Sequence, residues 1–179
     1  TFSIQASVAL ERAELFELSR ELKKISITDS LTGMLNRRYF QERATEEIER
    51  SKRYHQPLSL TMVDVDDFKV YNDLHGHPAG DELLVAVVRR LRTILRESDT
   101  LSRLGGDEFI LILREIDGSD AAAKVAEKII DAIAEPFEVG PHTLNTSVSV
   151  GIAMAPRDGG DFDTLMQKAD TAMYAAKEK

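Results

Sequence analysis

The chain has 179 residues, 42% hydrophobic and 30% charged, with no cysteine and a formal net charge of −8; this fits one globular domain with its own core and excludes a disordered polymer. The missing thiols exclude disulfides, thiolate nucleophiles and cysteine-ligated metals and suit a reducing cytosol. The acidic balance excludes a broad nucleic-acid face, which needs clustered Lys and Arg, but a nucleoside triphosphate remains compatible, since divalent cations can sit between carboxylates and phosphates.

From about 5 to 27 the pattern is helical, with Val8, Leu15 and Leu22 at heptad spacing and Leu18 and Ile25 offset by three. Charged residues such as Glu11, Arg12, Glu14, Arg20 and Lys23 fill other positions. Two readings stand: the arm pairs with a second copy of itself, or it lies as an amphipathic helix on its own domain. A polar link over 29–38 turns at Gly33, and a helix over roughly 37–55 ends before Pro57. Next, Leu58, Leu60 and Met62 alternate with Ser59, Thr61 and Val63 and lead to Asp64 and Asp66, a strand ending in acids. A short helix from about Asp67 follows, then a long one marked by Leu83, Leu84, Val87, Val88, Leu91, Ile94 and Leu95.

An apolar run ending at Leu104 and another from Phe109 to Leu113 predict a β-hairpin with Gly105 and Gly106 supplying positive φ at its tip. Ala122, Val125, Ala126, Ile129, Ile130 and Ile133 mark a further helix, closed by Pro136. In the strand around 146–154, Thr146, Val148, Val150 and Ile152 share one face, while Ser147, Ser149, Gly151 and Ala153 on the other are small enough for a helix to approach closely. Phe162, Leu165, Met166, Ala169, Ala172, Met173 and Ala176 form a last helix. The order predicts an α+β, ferredoxin-like fold, the arrangement on which polymerase palms and nucleotidyl cyclases are built: an antiparallel central sheet with helices on one side, preceded by an N-terminal helical arm over 1–28. No internal repeat or second domain is visible. A chain that opens on Thr1 and stops inside a helical pattern at Lys179 is expected to be a piece of a longer protein. No apolar stretch is long enough to span a bilayer, and no signal peptide is seen.

Chemistry gathers at the ends of these strands. In the expected topology the first strand and the hairpin are sheet neighbours, so Asp64 and Asp107 approach each other. Two carboxylates that close repel unless cations lie between them. Mg²⁺ prefers hard oxygen ligands, and two such ions can stabilise the attacking and leaving oxygens of a phosphoryl transfer.

The hairpin tip Gly105-Gly106-Asp107-Glu108-Phe109 resembles the signature of the GGDEF-domain diguanylate cyclases, which join two GTP into cyclic di-GMP. The stretch from Asp64 to Asp81 resembles the same family's Asp-x-Asp-x-Phe-Lys-x-x-Asn-Asp-x-x-Gly-His-x-x-Gly-Asp at every specified position, and the resemblance runs from about Asp29 to Lys177. It implies a catalytic domain over 29–179 that uses two Mg²⁺ or Mn²⁺ per active site. Asp64, Asp107 and the Val65 carbonyl are implied as metal ligands, and Asp107 or its metal helps deprotonate the 3′-hydroxyl. Glu108, grouped with Asp107 as a catalytic acid, either completes the metal shell or supports the turn.

A helix beginning near Asp67 would aim the N–H groups of Asp67, Phe68 and Lys69 at the phosphates; the Phe68 ring itself reads as a core anchor. Guanine offers two donors on one edge, which a carboxylate can accept. By resemblance Asp81 is that carboxylate and Asn72 its partner; otherwise both residues cap helices. His77 matches the family's Gly-His and is expected against the nucleotide, while zinc at His75 and His77 is discounted, because the pair lies on a turn with no ligand to complete it. Ala169 to Lys177 resembles the family's closing Ala-Asp-x-Ala-Leu-Tyr-x-Ala-Lys, with Met173 in place of Leu, and implies a γ-phosphate contact for Lys177. The Arg that usually follows is absent, which predicts weaker triphosphate affinity.

Arg96 and Asp99 resemble the family's inhibitory Arg-x-x-Asp site for product, and Arg103 either assists them or is a cross-strand residue. Asp29 is expected to pair with Arg37 or Arg38 and fix the arm to the domain. Because one domain holds one GTP, a two-fold homodimer is implied, with an upstream sensory domain in the parent protein. The expected location is cytoplasmic, with membrane anchoring of the parent left open. The rival reading is a catalytically silent module that senses cyclic di-GMP through Arg96 and Asp99.

Overall fold

The computed structural model describes residues 2–178, with side chains described for 6–20, 22 and 27–178. Its elements are α1 (Phe2–Ile27), α2 (Arg37–Tyr54), β1 (Leu58–Val65), α3 (Phe68–His75), α4 (His77–Ile94), β2 (Thr100–Gly105), β3 (Glu108–Leu113), α5 (Gly118–Ala134), β4 (Phe137–Val139), β5 (His142–Leu144), β6 (Val148–Ala155) and α6 (Phe162–Lys177). The main sheet has the order β2-β3-β1-β6, with every pairing antiparallel. This is the expected ferredoxin-like arrangement.

The helices, however, cover both faces of the sheet rather than one. Val63, Val65, Phe109, Leu111 and Leu113 pack with Leu83, Leu84 and Val87 of α4 and Ile129 and Ile133 of α5. Their strand neighbours Leu60, Met62, Ile110 and Ile112 pack with Phe40 and Ile48 of α2 and Leu165 and Met173 of α6. The reason lies in the central strands. β1 is buried along its whole length, and its two interior hydroxyls, Ser59 and Thr61, satisfy each other at 2.8 Å. A strand apolar on both sides needs cover on both sides.

The other packing devices are local. Arg90 on α4 donates to the carbonyls of Ala132 (2.9 Å), Glu135 and Pro136 (2.9 Å) and lies 3.5 Å from the centre of the Phe137 ring, satisfying carbonyls left open at the end of α5. The small β4–β5 hairpin was not legible in sequence, because strands of three residues each are too short to show a period. At the sheet edge, Leu35 bridges β2: its carbonyl accepts from Arg103 N–H at 3.1 Å and Ser102 Oγ at 2.6 Å. The segment after the arm therefore covers β2.

Val8, Leu15, Leu18 and Leu22 on α1 are all exposed, so this part of the arm does not lie on its own domain. The side chains of Lys23 and Ile25 lie outside the described residues. Among the described residues no helix is long and apolar enough to cross a membrane.

α6 presses directly on β6, as the small residues there predict. A Cβ at Gly151 would stand 2.0 Å from the Ala169 carbonyl oxygen and 2.3 Å from the Met173 nitrogen, and backbone cannot give way as a side-chain tip can. Gly151→Ala is expected to destabilise the domain by about 2–3 kcal/mol, seen as a fall of roughly 5–10 °C in thermal unfolding.

Candidate active site

β1 and β3 run antiparallel with Asp64 in register opposite Glu108. Strand alternation places both acids on the α2/α6 face, with Met62 and Ile110. The turn between β2 and β3 is possible because Gly105 (φ 147°) and Gly106 (φ 54°) take backbone conformations that side chains resist.

The turn is held from two sides. Arg103 donates to the Gly106 carbonyl from Nε at 2.9 Å and Nη2 at 2.8 Å, while its Nη1 reaches both oxygens of Asp29 at 3.2 Å. The Val65 N–H donates to the Asp107 carbonyl at 3.2 Å. Asp29 thus takes its guanidinium from Arg103, not from Arg37 or Arg38 as expected, and Arg103 is committed to the hairpin. Burial pushes the Asp29 carboxyl up, but hydrogen bonds from Thr32 and the Arg103 charge outweigh this and leave it below the ordinary aspartate value.

Electrostatic stress concentrates on the opposed pair. Asp64 is only 5% exposed. Burial, helped by the charges of Asp107 and Asp66, raises its pKa despite the Lys177 ammonium 2.6 Å from its Oδ1. Lys177 is itself raised, chiefly by the Asp64 carboxylate at this short distance. The two shifts are consistent, because one ammonium offsets only part of the burial and like-charge load. Glu108 is raised by burial first, then by Asp64, Asp107 and Asp170. Asp66 is occupied elsewhere, accepting from Ser147 Oγ at 2.6 Å and Ser149 Oγ at 2.7 Å.

This donor set suits a hard divalent cation. Asp64, Asp107 and Glu108 offer only oxygen, and a cation would relieve the repulsion that raises two of them. Among the described residues no group of three or more His, Cys, Asp or Glu is gathered closely enough to hold a metal ion by itself. An ion here would complete its shell with water and phosphate, as Mg²⁺ does.

Beside the acids, Asp67 caps α3 in the left-handed conformation (φ 55°) without a side-chain hydrogen bond to the first turn. The Phe68 ring is buried in the core, as read, and Lys69 is exposed. Asn72 packs onto α4 so tightly that a Cβ at Gly80 would meet its Oδ1 at 1.8 Å. That oxygen is buried without a protein partner. Asp81, one residue on, is exposed and lines a cavity of about 370 Å³ with Leu31, Val85 and Arg89. His77 opens α4 and is exposed, whereas the His75 ring lies tilted between those of Tyr71 (4.7 Å between centroids) and His142 (5.0 Å).

Arg96 and Asp99 line a different cavity of about 500 Å³ with Arg92, Met34 and Leu101. The Asp99 carboxylate accepts from the N–H of Arg96 at 3.0 Å and of Arg114 at 3.4 Å. Arg92 went unnoticed in the sequence, although its spacing of four from Arg96 was a usable signal. A cavity of about 780 Å³ between α2 and Glu115, lined by Arg50, Arg53 and Tyr54, contains none of the residues singled out. The chemistry follows the acids rather than this larger hollow.

Residues 26–179 match the family model described as "Diguanylate cyclase, GGDEF domain". The chain is 37% identical to the bifunctional diguanylate cyclase/cyclic di-GMP phosphodiesterase MucR of Pseudomonas aeruginosa, over 98% of this chain and 26% of that protein. Among solved structures, the GGDEF domain of TpbB from Pseudomonas aeruginosa superposes with a TM-score of 0.82 at 38% identity, covering 84% of this chain and 88% of that one. The coiled coil and GGDEF domain of DgcB from Caulobacter crescentus, in complex with c-di-GMP, gives 0.83 at 26% identity over 98% and 95%. The chain spans about a fifth to a third of the length of the curated relatives it matches.

A carboxyl whose folded-state pKa is raised favours folding while protonated, and that contribution is lost as pH climbs through the raised value. Glu108→Gln is therefore expected to raise the unfolding temperature near pH 7.5 by about 2–3 °C. The gain should shrink toward zero near pH 4, where glutamate is ordinarily half protonated, as a calorimetric pH series would show.

Proposed function

The chain belongs to the GGDEF domain family, and on that premise we propose that it is the diguanylate cyclase part of a longer protein, converting two GTP into cyclic di-GMP and two pyrophosphates. The observation that carries the reading is Asp64 opposite Glu108 at paired strand ends with Asp107 on the adjoining turn, beside an α3 N-terminus that has no side-chain cap hydrogen bond.

The first-turn N–H groups of α3 and the Lys69 charge receive the phosphates. Asn72 and Asp81 accept and donate along the guanine edge, the buried Asn72 Oδ1 having no protein partner of its own. His77 lies against the nucleotide, and Lys177 contacts the γ-phosphate. Asp64, Asp107 and the Val65 carbonyl would hold two Mg²⁺ or Mn²⁺, and Glu108 would complete the shell. When bound, these ions neutralise the charge that develops on the transferring phosphoryl group. Asp107 helps take the proton from the 3′-hydroxyl, whose oxygen bonds to the α-phosphorus as the bond to pyrophosphate breaks.

Each domain holds one GTP, so each hydroxyl must attack a phosphate held by another copy, and a two-fold homodimer is required. The exposed heptad residues of α1 are the proposed means of pairing, in the manner the DgcB coiled coil suggests. The arm would also carry a signal from an upstream sensory domain. GTP as substrate places the domain in the cytoplasm. Product binds at Arg96 and Asp99 and restrains the enzyme. Because that cavity is built without the acid cluster, a silent cyclic di-GMP sensor is the second reading.

With GTP and Mg²⁺, the chain should release pyrophosphate and cyclic di-GMP at a rate rising faster than linearly with protein concentration. Asp107→Ala should lower that rate by at least about 10²-fold. Tight cyclic di-GMP binding without turnover by the unaltered chain would favour the sensor. Asp81→Ala should weaken discrimination of GTP against ATP by roughly 10²-fold or more, measured as the ratio of kcat/KM values.

A further inference from the structure

Lys177 stands in the last turn of α6 with its ammonium 2.6 Å from Oδ1 of Asp64. The two partners differ in freedom. Asp64 is fixed within β1 and buried, whereas the Lys177 side chain keeps 38% of its surface in solvent and hangs on a flexible stem. Around them lie the like charges of Asp107 and Asp66 and of Glu108, so among the described residues this ammonium is the cation on which Asp64 relies. An ammonium held at contact and a divalent ion bound to the same carboxylate repel at short range, so each weakens the other's hold on Asp64.

We propose that Lys177 is a resident counter-cation that competes with the divalent ion for Asp64 and is released when a nucleotide phosphate arrives to receive it. The inference rests on the reading of Asp64 as a metal ligand. Its consequence is coupled loading: metal alone must displace Lys177 into water, whereas metal with triphosphate gives the lysine a new anionic partner. The site then resists occupation by free divalent ions and fills as a metal–nucleotide unit. A lysine that only fastens α6 to the sheet would behave otherwise, since its loss would loosen the site and weaken every ligand.

The test is Mn²⁺ binding followed by electron paramagnetic resonance on the 179-residue chain, with and without a GTP analogue carrying a methylene bridge between the α- and β-phosphates. Lys177→Met is expected to tighten Mn²⁺ binding without nucleotide about tenfold, and to weaken binding of the Mn²⁺–analogue complex by about the same factor. Lys177→Arg, which keeps the charge, should leave nucleotide-free Mn²⁺ affinity close to that of the unaltered chain. Unchanged or weaker nucleotide-free binding by Lys177→Met overturns the inference. Asp64→Asn separates the two levels: if it abolishes Mn²⁺ binding while Lys177→Met fails to tighten it, only the competition is wrong. If Asp64→Asn leaves Mn²⁺ binding intact, the assignment of Asp64 as a ligand falls and the competition with it.

Discussion

Two carboxylates facing each other across adjacent strands, Asp64 and Glu108, set the terms for this molecule. Like charges directly opposed in a sheet destabilise it, and burial adds to the load on both. A chain selected for stability alone would place an apolar or oppositely charged pair there. Instead the surroundings manage the stress: Lys177 answers Asp64, and Ser147 and Ser149 donate to Asp66. A site that stores repulsion in this way is poised for a cation, and the stored repulsion is part of what the cation relieves.

Such an arrangement needs strand ends that cannot drift apart, and the two cores provide them. Because β1 and β3 are apolar on both faces, α4 and α5 press from one side while α2 and α6 press from the other. The Gly151 contact fixes how close α6 lies to the sheet, and hence where Lys177 ends. The hairpin tip would be the loosest part of the site, yet Arg103 ties its Gly106 carbonyl to Asp29. Asp29, just after the arm, is therefore linked through one guanidinium to the turn that carries Asp107.

The nucleotide side is built on different principles. α3 and α4 meet at Gly76 and are drawn together where Asn72 sits against Gly80. Close packing there orients an amide whose oxygen has no protein partner, while Asp81 stays in solvent. The Asp99 carboxylate accepts from the backbone N–H groups of Arg96 and Arg114, tying this turn to the end of β3, and Arg92 and Arg96 line a cavity of their own.

Much of this was readable in the residues alone. The period of each segment shows its type and its apolar face, so the succession of strands and helices along the chain, the hairpin at Gly105–Gly106, the buried Phe68 ring and the close helix over Gly151 all followed from local pattern. What the pattern does not carry is which distant groups meet. An amphipathic helix shows its apolar stripe without showing which face of the sheet it will cover, so helices were expected on one side and lie on two. Asp29 has arginines near it in sequence at 37 and 38, yet its partner is Arg103, brought in by the edge pairing of Leu35 with β2. Likewise nothing in the spacing joins Lys177 to Asp64. Secondary structure is written in short-range periodicity, whereas charge pairing depends on where the ends of elements converge, and only the folded chain decides that.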